Sequence, residues 1–577
     1  MRLAKPRVNN RKKRGKIKSN RSPSSKRSRH PRSRNGHRKK SVQSSSSRRN
    51  DRNHFELAIN RLGLPDQFPK KTIAAADRFK EIIPDDALTQ FERRDLRSRL
   101  HVTIDGEDAK DFDDAVSACK EKAGYRIWIS IADVAHYVKA NGPLDKEAAF
   151  RGTSVYLPTC VIPMLPEPLA NNLCSLIPGQ PRLTLTCEMI VDTNGNRSHI
   201  SIYPSLIRSA ARLTYTQVQS HMDGNQAALP ESVADTVNDI TIASKLLRQK
   251  RLQKGSLDLE VPEPEVIFDK SGNLVNIVAR NPLPAHQVIE DLMIAANESV
   301  AEFLIEHRLS GVYRIHPPPP PEKWMVMTEW AKRFGLPIKT GKANNPLAVS
   351  HLLKQLKQSR QADTGQMLLL RSFSQAFYSS QVDHHFGLAS EAYAHFTSPI
   401  RRYPDLLVHR SLWNYWKKKP DLDDLEELAI RSSETERQAV NAEREIVHVA
   451  ACLIACRRIG EEMTARIVGV HSAGLFVRPD DFYAEGLVPI RSLGEHDRDY
   501  FEVWPEAQAV VGRRTRTSYT LGDALSVRLA NVDLEKNRIN FELVPTPVHA
   551  KITQIGKSAP KTKQKKTKLR STSKKRR

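Results

Sequence analysis

Three hydrophobic patterns follow one another along this chain. Between about residues 96 and 415, alternating segments such as YRIWISIADV (125–134) predict half-buried strands. They are interleaved with segments of helical period such as VIEDLMIAANESVAEFLIEH (288–307), and the mixture predicts one large α+β domain. Residues 421–460 predict a helix that is acidic at its start (LDDLEEL), apolar in its later stripe (IVHVAACLIA) and basic at its end (CRRIG). That charge order suits the helix macrodipole. From 463 to 545 the pattern switches to five short strands with Gly punctuation: TARIVGV, AGLFVRP, EGLVPI, DALSVRLANVD and RINFELV. Five such strands in this length have the size and rhythm of an OB-type barrel. Upstream, residues 54–95 are polar with short amphipathic pieces (LAINRLGL, TIAAADRFKEII), too few for a core of their own, and read as a docking segment. The Pro317–Pro321 run predicts a stiff turn between a strand and a helix.

Charge changes the picture at both ends. The 577 residues carry 92 Lys and Arg against 65 Asp and Glu, but residues 1–50 hold 20 of the basic residues and 551–577 hold 12, with no acid in either stretch. The body between them is left with 60 basic against 65 acidic residues and is slightly acidic. Arms of this kind, over 1–53 and 546–577, have almost nothing apolar to bury and are expected to be disordered. Phosphate backbones are their expected partners, because each contact releases counterions. Ribosomes or a degradation machinery are candidates for the same arms. The six cysteines form no C-x-x-C pair and no zinc spacing, which fits a reducing compartment. No apolar run approaches the ~18–20 residues that span a bilayer. A cytoplasmic monomer without a membrane partner is expected.

The most informative stretch is HVTIDGEDAKDFDDA (101–115). VTI predicts a strand, Gly106 offers a turn, and Asp105, Asp108, Asp111, Asp113 and Asp114 follow within ten residues. A loop folded around a cation is the natural way for Asp105, Asp111, Asp113 and Asp114 to converge, since close carboxylates otherwise repel or take up protons. Carboxylate-only ligation favours Mg²⁺ or Mn²⁺ over zinc. An EF-hand is excluded, because position 6 counted from Asp105 is Lys110 and from Asp108 is Asp113. Phe112, Ala115 and Val116 are interleaved with the acids, which argues for a packed segment rather than a solvated turn. Paired metals ~3.5–4 Å apart hydrolyse phosphodiesters, so the acids, basic arms and barrel together point to that chemistry. A second constellation is YAHFTSPIRRYPDLLVHR (393–410), where Ser398-Pro399 breaks the chain and presents Arg401 and Arg402 among Tyr393, Phe396 and Tyr403. An arginine there can clamp a phosphate and offset its developing charge. A phosphate-binding loop at GLPIKTGKA (335–343) is excluded: five residues separate its glycines, and Ala343 stands where Ser or Thr is required.

These motifs resemble the RNB catalytic domain of the ribonuclease II/ribonuclease R family. The resemblance runs through TIDGEDAKDFDDAV (103–116), RGTSVYLPTCVIPMLPEPLANNLCSLIPG (151–179), VIEDLMIAAN (288–297) and HFGLASEAYAHFTSPIRRYPDLLVHR (385–410), and covers roughly 96–415. Residues 416–462 would be the helical C-terminal part of the catalytic region. GLFVRPDDFYAEGLVPIRSL (474–493) is similar to the S1-type OB domain that follows it, here 463–545. The resemblance implies processive 3′→5′ hydrolysis of single-stranded RNA by Mg²⁺ to nucleoside 5′-monophosphates. It implies that Asp105, Asp111, Asp113 and Asp114 hold metal, with Asp113 and Arg401 catalytic. Tyr156 would stack on terminal bases and Glu290 would contact the terminal sugar. Arg402 would either contact RNA or pair with a carboxylate. In the barrel, Phe476 and Tyr483 are candidate stacking residues.

The chain departs from the family in three places. Two cold-shock domains usually precede the RNB domain, whereas here only the basic arm precedes 54–104. Pro489 stands where many S1 domains have histidine, and His384 where glycine is common before HFGL. A catalytically impaired RNA-binding or ribosome-associated protein is the competing reading, and retention of all four aspartates weighs against it.

Overall fold

A computed structural model describes residues 45–80, 86, 88–89, 92–259, 262–336, 343–494, 499–505 and 508–544. Most of both basic arms lies outside these residues. The chain divides into a unit ending at Ser47 and a compact unit beginning at Arg48. The expected arm gives way to structure earlier than residue 53, because the first helix spans Ser45–Leu62. Phe55 and Ala58 are buried in a core shared with the barrel and with the helix Leu425–Ala455. Asp51 pairs with Arg457. Packing of that apolar face lets the helix propagate back into a polar stretch that would not form one alone.

A six-stranded sheet organises the α+β region, in the order Arg94–Asp95, Arg197–Thr214, His101–Asp105, Asp114–Glu121, Gly124–Ala132, Pro181–Val191. The 18-residue strand Arg197–Thr214 pairs antiparallel with Pro181–Val191 over its first part and parallel with His101–Asp105 over its last. The sheet therefore curls back on itself. Residues 101–104 are buried, as expected of a strand covered on both faces. The parallel register sets Asp105 beside Thr214, so the acidic loop leaves the sheet where the long strand turns into the helix Tyr215–Met222. Asp114 re-enters opposite Ile131.

The 31-residue helix Leu425–Ala455 joins two cores. Ala429 packs with the sheet, while Ala439, Ile446, Val449 and Leu453 pack with the barrel. The barrel strands Glu462–His471, Gly474–Pro479, Gly486–Pro489, Arg538–Leu543 and Ala524–Asp533 close in that spatial order. Between the third and fourth in sequence, a sheet of Phe501–Trp504, Ala509–Gly512 and Ser518–Thr520 is inserted. Its short strands gave no alternating signal long enough to read. Among the described residues no helix is long and apolar enough to cross a membrane.

One crossing brings remote segments to the site. The backbone of 152–154 pairs with that of 401–403: Tyr403 N donates to Gly152 O and Ser154 N to Arg401 O, each at 2.9 Å. Gly152 has φ +67° and ends the helix Pro143–Arg151. A Cβ there would lie 1.9 Å from Thr435 Oγ1 on the long helix. Gly152→Ala is expected to cost about 2–4 kcal/mol, from the clash and the left-handed backbone together. A denaturant midpoint unchanged from the parent chain would contradict this.

Candidate active site

The acidic loop is built from both sides. Phe112 N donates to Ser175 Oγ at 3.0 Å, Ser175 Oγ donates to Lys110 O at 2.7 Å, and Leu176 N donates to Phe112 O at 3.0 Å. These bonds turn the loop back toward the sheet and bury Phe112 and Asp113. Asp113 Oδ1 accepts the Ile400 N–H at 2.8 Å, while its Oδ2 lies 3.5 Å from Arg401 Nε. One carboxylate thus joins the acidic loop to the arginine-bearing turn, although 287 residues separate Asp113 from Ile400.

That turn is fixed from beneath. Asn297, on the helix Pro284–Glu306, accepts from Phe396 N at 2.8 Å and donates to Tyr393 Oη at 2.9 Å. Asp405 Oδ1 accepts from Ser398 N and from Arg402 Nη2, both at 2.8 Å. The two adjacent arginines therefore differ in role. Arg402 is tied to Asp405 one turn along the following helix, whereas Arg401 is 44% exposed, its Nη2 steadied by Ser398 Oγ at 3.0 Å.

Electrostatics follow from this crowding. Burial, then the charges of Asp114 and Asp111, push the Asp105 carboxyl up to about 8. Burial pushes Asp114 up to about 6 against the pull of Arg401. Burial likewise raises Asp113, opposed by Arg401 and the Ile400 N–H. Asp105 Oδ2 and Asp113 Oδ2 are buried without a hydrogen-bond partner.

Two unsatisfied buried carboxylate oxygens, in an all-oxygen donor set, fit a hard divalent cation by their chemistry. As placed, however, no three acid, histidine or cysteine side chains among the described residues stand close enough to hold one ion.

Tyr156 lies at the rim, 41% exposed. Its hydroxyl donates to Asp111 Oδ2 at 2.9 Å, and its backbone N–H donates to Glu443 Oε1 at 3.1 Å. Tyr215 forms another wall: the charges of Asp114 and Asp105 add to the burial that raises its phenol, and its ring stacks on His286 at 4.0 Å. Glu290 is one helical turn beyond His286 and exposed. Tyr215, His286 and Glu443 carry no signal in the sequence, since each is an unremarkable residue of a strand or helix until the sheet closes.

In the barrel, Phe476 is 37% exposed on its strand. Tyr483 is more committed. Its hydroxyl donates to Pro262 O at 2.9 Å, and the Arg478 guanidinium lies 4.4 Å from its ring centroid.

The family model described as RNB domain matches residues 93–418. The chain belongs to the RNB family. Among curated RNB relatives, ribonuclease R of Vibrio parahaemolyticus is 36% identical over 526 residues, covering 88% of this chain and 62% of its own length. Ribonuclease R of Thermotoga maritima is 38% identical over 492 residues, covering 83% and 68%. The chain thus spans about three-fifths of the length of the first of these. Among solved structures, Mycoplasma genitalium RNase R in complex with ribose methylated single-stranded RNA superposes with a TM-score of 0.81 at 30% identity, over 86% of this chain and 78% of that one.

Proposed function

We propose that this chain is a metal-dependent exoribonuclease that hydrolyses single-stranded RNA processively from its 3′ end to nucleoside 5′-monophosphates. The observation that carries this reading is the joint at Asp113, which ties the acidic loop to the half-exposed Arg401. The likeness to ribonuclease R and to its RNA-bound structure supports RNA as the substrate.

In this reading Asp105, Asp111, Asp113 and Asp114 hold Mg²⁺, or Mn²⁺ in its place. A cation held there would supply water activation and stabilisation of the leaving oxygen. Arg401 offers the exposed side of its guanidinium, at Nη1, to the scissile phosphate. Tyr156 stacks a terminal base and Glu290 faces the sugar. Arg402 serves the turn rather than the RNA, because Asp405 already takes its Nη2. Residues 463–545 form an accessory RNA-binding domain, in which Phe476 and Tyr483 are the stacking residues. The basic arms that precede the first helix and follow the barrel add non-specific phosphate contacts, to RNA or to a ribosome. A cytoplasmic monomer fits this activity. Incubation with labelled single-stranded RNA in Mg²⁺ tests the reading through release of 5′-mononucleotides; intact RNA contradicts it.

A second reading, RNA binding without hydrolysis, takes its support from the spread of the aspartates. Metal linkage separates the two. Asp105 and Asp114 are raised above the ordinary value of 3.8, so the folded chain keeps protons that the unfolded chain has lost. The metal-free fold should then lose stability as pH rises from about 4 to about 8. A cation that replaces those protons restores it, so the gain in Tm on adding Mg²⁺ is expected to be larger at pH 8 than at pH 5. Equal gains at the two pH values would contradict metal binding by these acids.

A further inference from the structure

The corner where the strand Arg197–Thr214 becomes the helix Tyr215–Met222 grips the acidic loop on both sides. Arg212 is in register with Thr103, two residues before Asp105 on the neighbouring parallel strand. Its Nη2 donates to Gly106 O at 2.6 Å and to Glu107 O at 2.5 Å. The same guanidinium lies 5.8 Å from the ring centroid of Phe112, the residue before Asp113. A single side chain therefore touches the outgoing arm of the loop, which carries Asp105, and the returning arm, which carries Asp113 and Asp114. Four residues on, Thr216 Oγ1 donates to Glu107 Oε1 at 2.6 Å. The corner itself is held by a capping box between Thr214 and Gln217.

Two successive loop carbonyls converge on one donor, and Gly106 O also accepts from Ala109 N at 3.3 Å within the loop. Gly106 removes side-chain restraint at the first of them, and Asp108 beyond is exposed. A permanently charged, multi-donor guanidinium is suited to such a strap.

We propose that Arg212 is a positioning residue that sets the shape of the acidic loop and, through it, the affinity of the four-aspartate site for a divalent cation. The proposal rests on the reading that Asp105, Asp111, Asp113 and Asp114 bind that cation. It opposes the simple Coulomb expectation, in which a cation beside the site repels metal and its removal tightens binding.

Mn²⁺ binding to the metal-free full chain, followed by paramagnetic resonance of free Mn²⁺ without RNA, tests it. Arg212→Ala is expected to bind Mn²⁺ about tenfold more weakly, the scale of lost outer-sphere supports. Arg212→Lys, which keeps the charge and donors on a flexible stem, should recover part of that loss. Thr216→Val, which removes one exposed contact and leaves the sheet alone, should weaken Mn²⁺ by about two- to threefold. It carries the test if circular dichroism shows Arg212→Ala unfolded. Unchanged or tighter Mn²⁺ binding in folded Arg212→Ala, or unchanged binding in Thr216→Val, overturns the proposal. Failure of the parent chain to bind Mn²⁺ overturns the metal reading first, and the proposal with it.

Discussion

Asp113→Asn is expected to lower RNA hydrolysis by on the order of 10³-fold or more, the scale seen when one member of a catalytic unit is removed, and to leave a folded protein. Asparagine has the shape of the carboxylate and can still accept the Ile400 N–H through its amide oxygen, so the joint to the arginine turn survives. What is lost is the negative charge at Oδ2, buried without a hydrogen-bond partner and facing Arg401 Nε at 3.5 Å. A buried acid with a raised protonation range contributes little to holding the fold at neutral pH, because its charge is costly there. Without metal, the Tm of the variant should therefore match or exceed that of the parent, and the Mg²⁺-induced gain should shrink. Activity and stability would move apart. Loss of both together would mean that Asp113 is a packing residue, and retention of activity would remove it from the site.

Arg401→Ala should lower kcat by about 10²–10³-fold, the range for removing one preorganised donor to a developing charge, with a smaller change in KM. The expectation comes from how little else Arg401 does. Its side chain is 44% exposed, and its contacts are Ser398 Oγ and the edge of Asp113. The fold should tolerate the change. Arg402→Ala is the instructive contrast, since Arg402 is bonded to the fully buried Asp405, which also accepts Ser398 N–H. That variant should lose stability by leaving a buried carboxylate underpaired, and lose activity only as the turn loosens. An unchanged kcat for Arg401→Ala would mean that another cation meets the phosphate.

Much of this arrangement is legible in the amino-acid sequence. The strand before the acidic loop is marked by VTI, the loop by Gly106, and the returning strand by Ala115 and Val116, all local signals. The five barrel strands are likewise local, each a short alternating run between turn residues. The two arginines at 401 and 402 are visible as a pair, and only the family resemblance separates them, giving Arg401 to the phosphate and leaving Arg402 to RNA or a carboxylate. That last choice is decided by Asp405, whose position matters only after the helix Tyr403–Trp416 forms. The remaining parts of the site depend on long-range closure. Arg212 reaches the loop across 106 residues because the long strand runs parallel beside His101–Asp105. Glu443 meets Tyr156 across 287 residues because the helix Leu425–Ala455 passes under the hairpin carrying that tyrosine. No period or motif encodes either approach. The first helix was legible only in its second half, since its polar N-terminal turns have no apolar stripe of their own.

The central claim, hydrolysis from the 3′ end, is tested most directly by the order of product release from one single-stranded oligoribonucleotide labelled at either end, in Mg²⁺. The account predicts that a 3′-terminal label appears in mononucleotide at the earliest times, while a 5′-terminal label passes into a short limit product, and that Asp113→Asn abolishes both. Early mononucleotide from the 5′ label, internal fragments, or intact RNA bound by well-folded protein would contradict it.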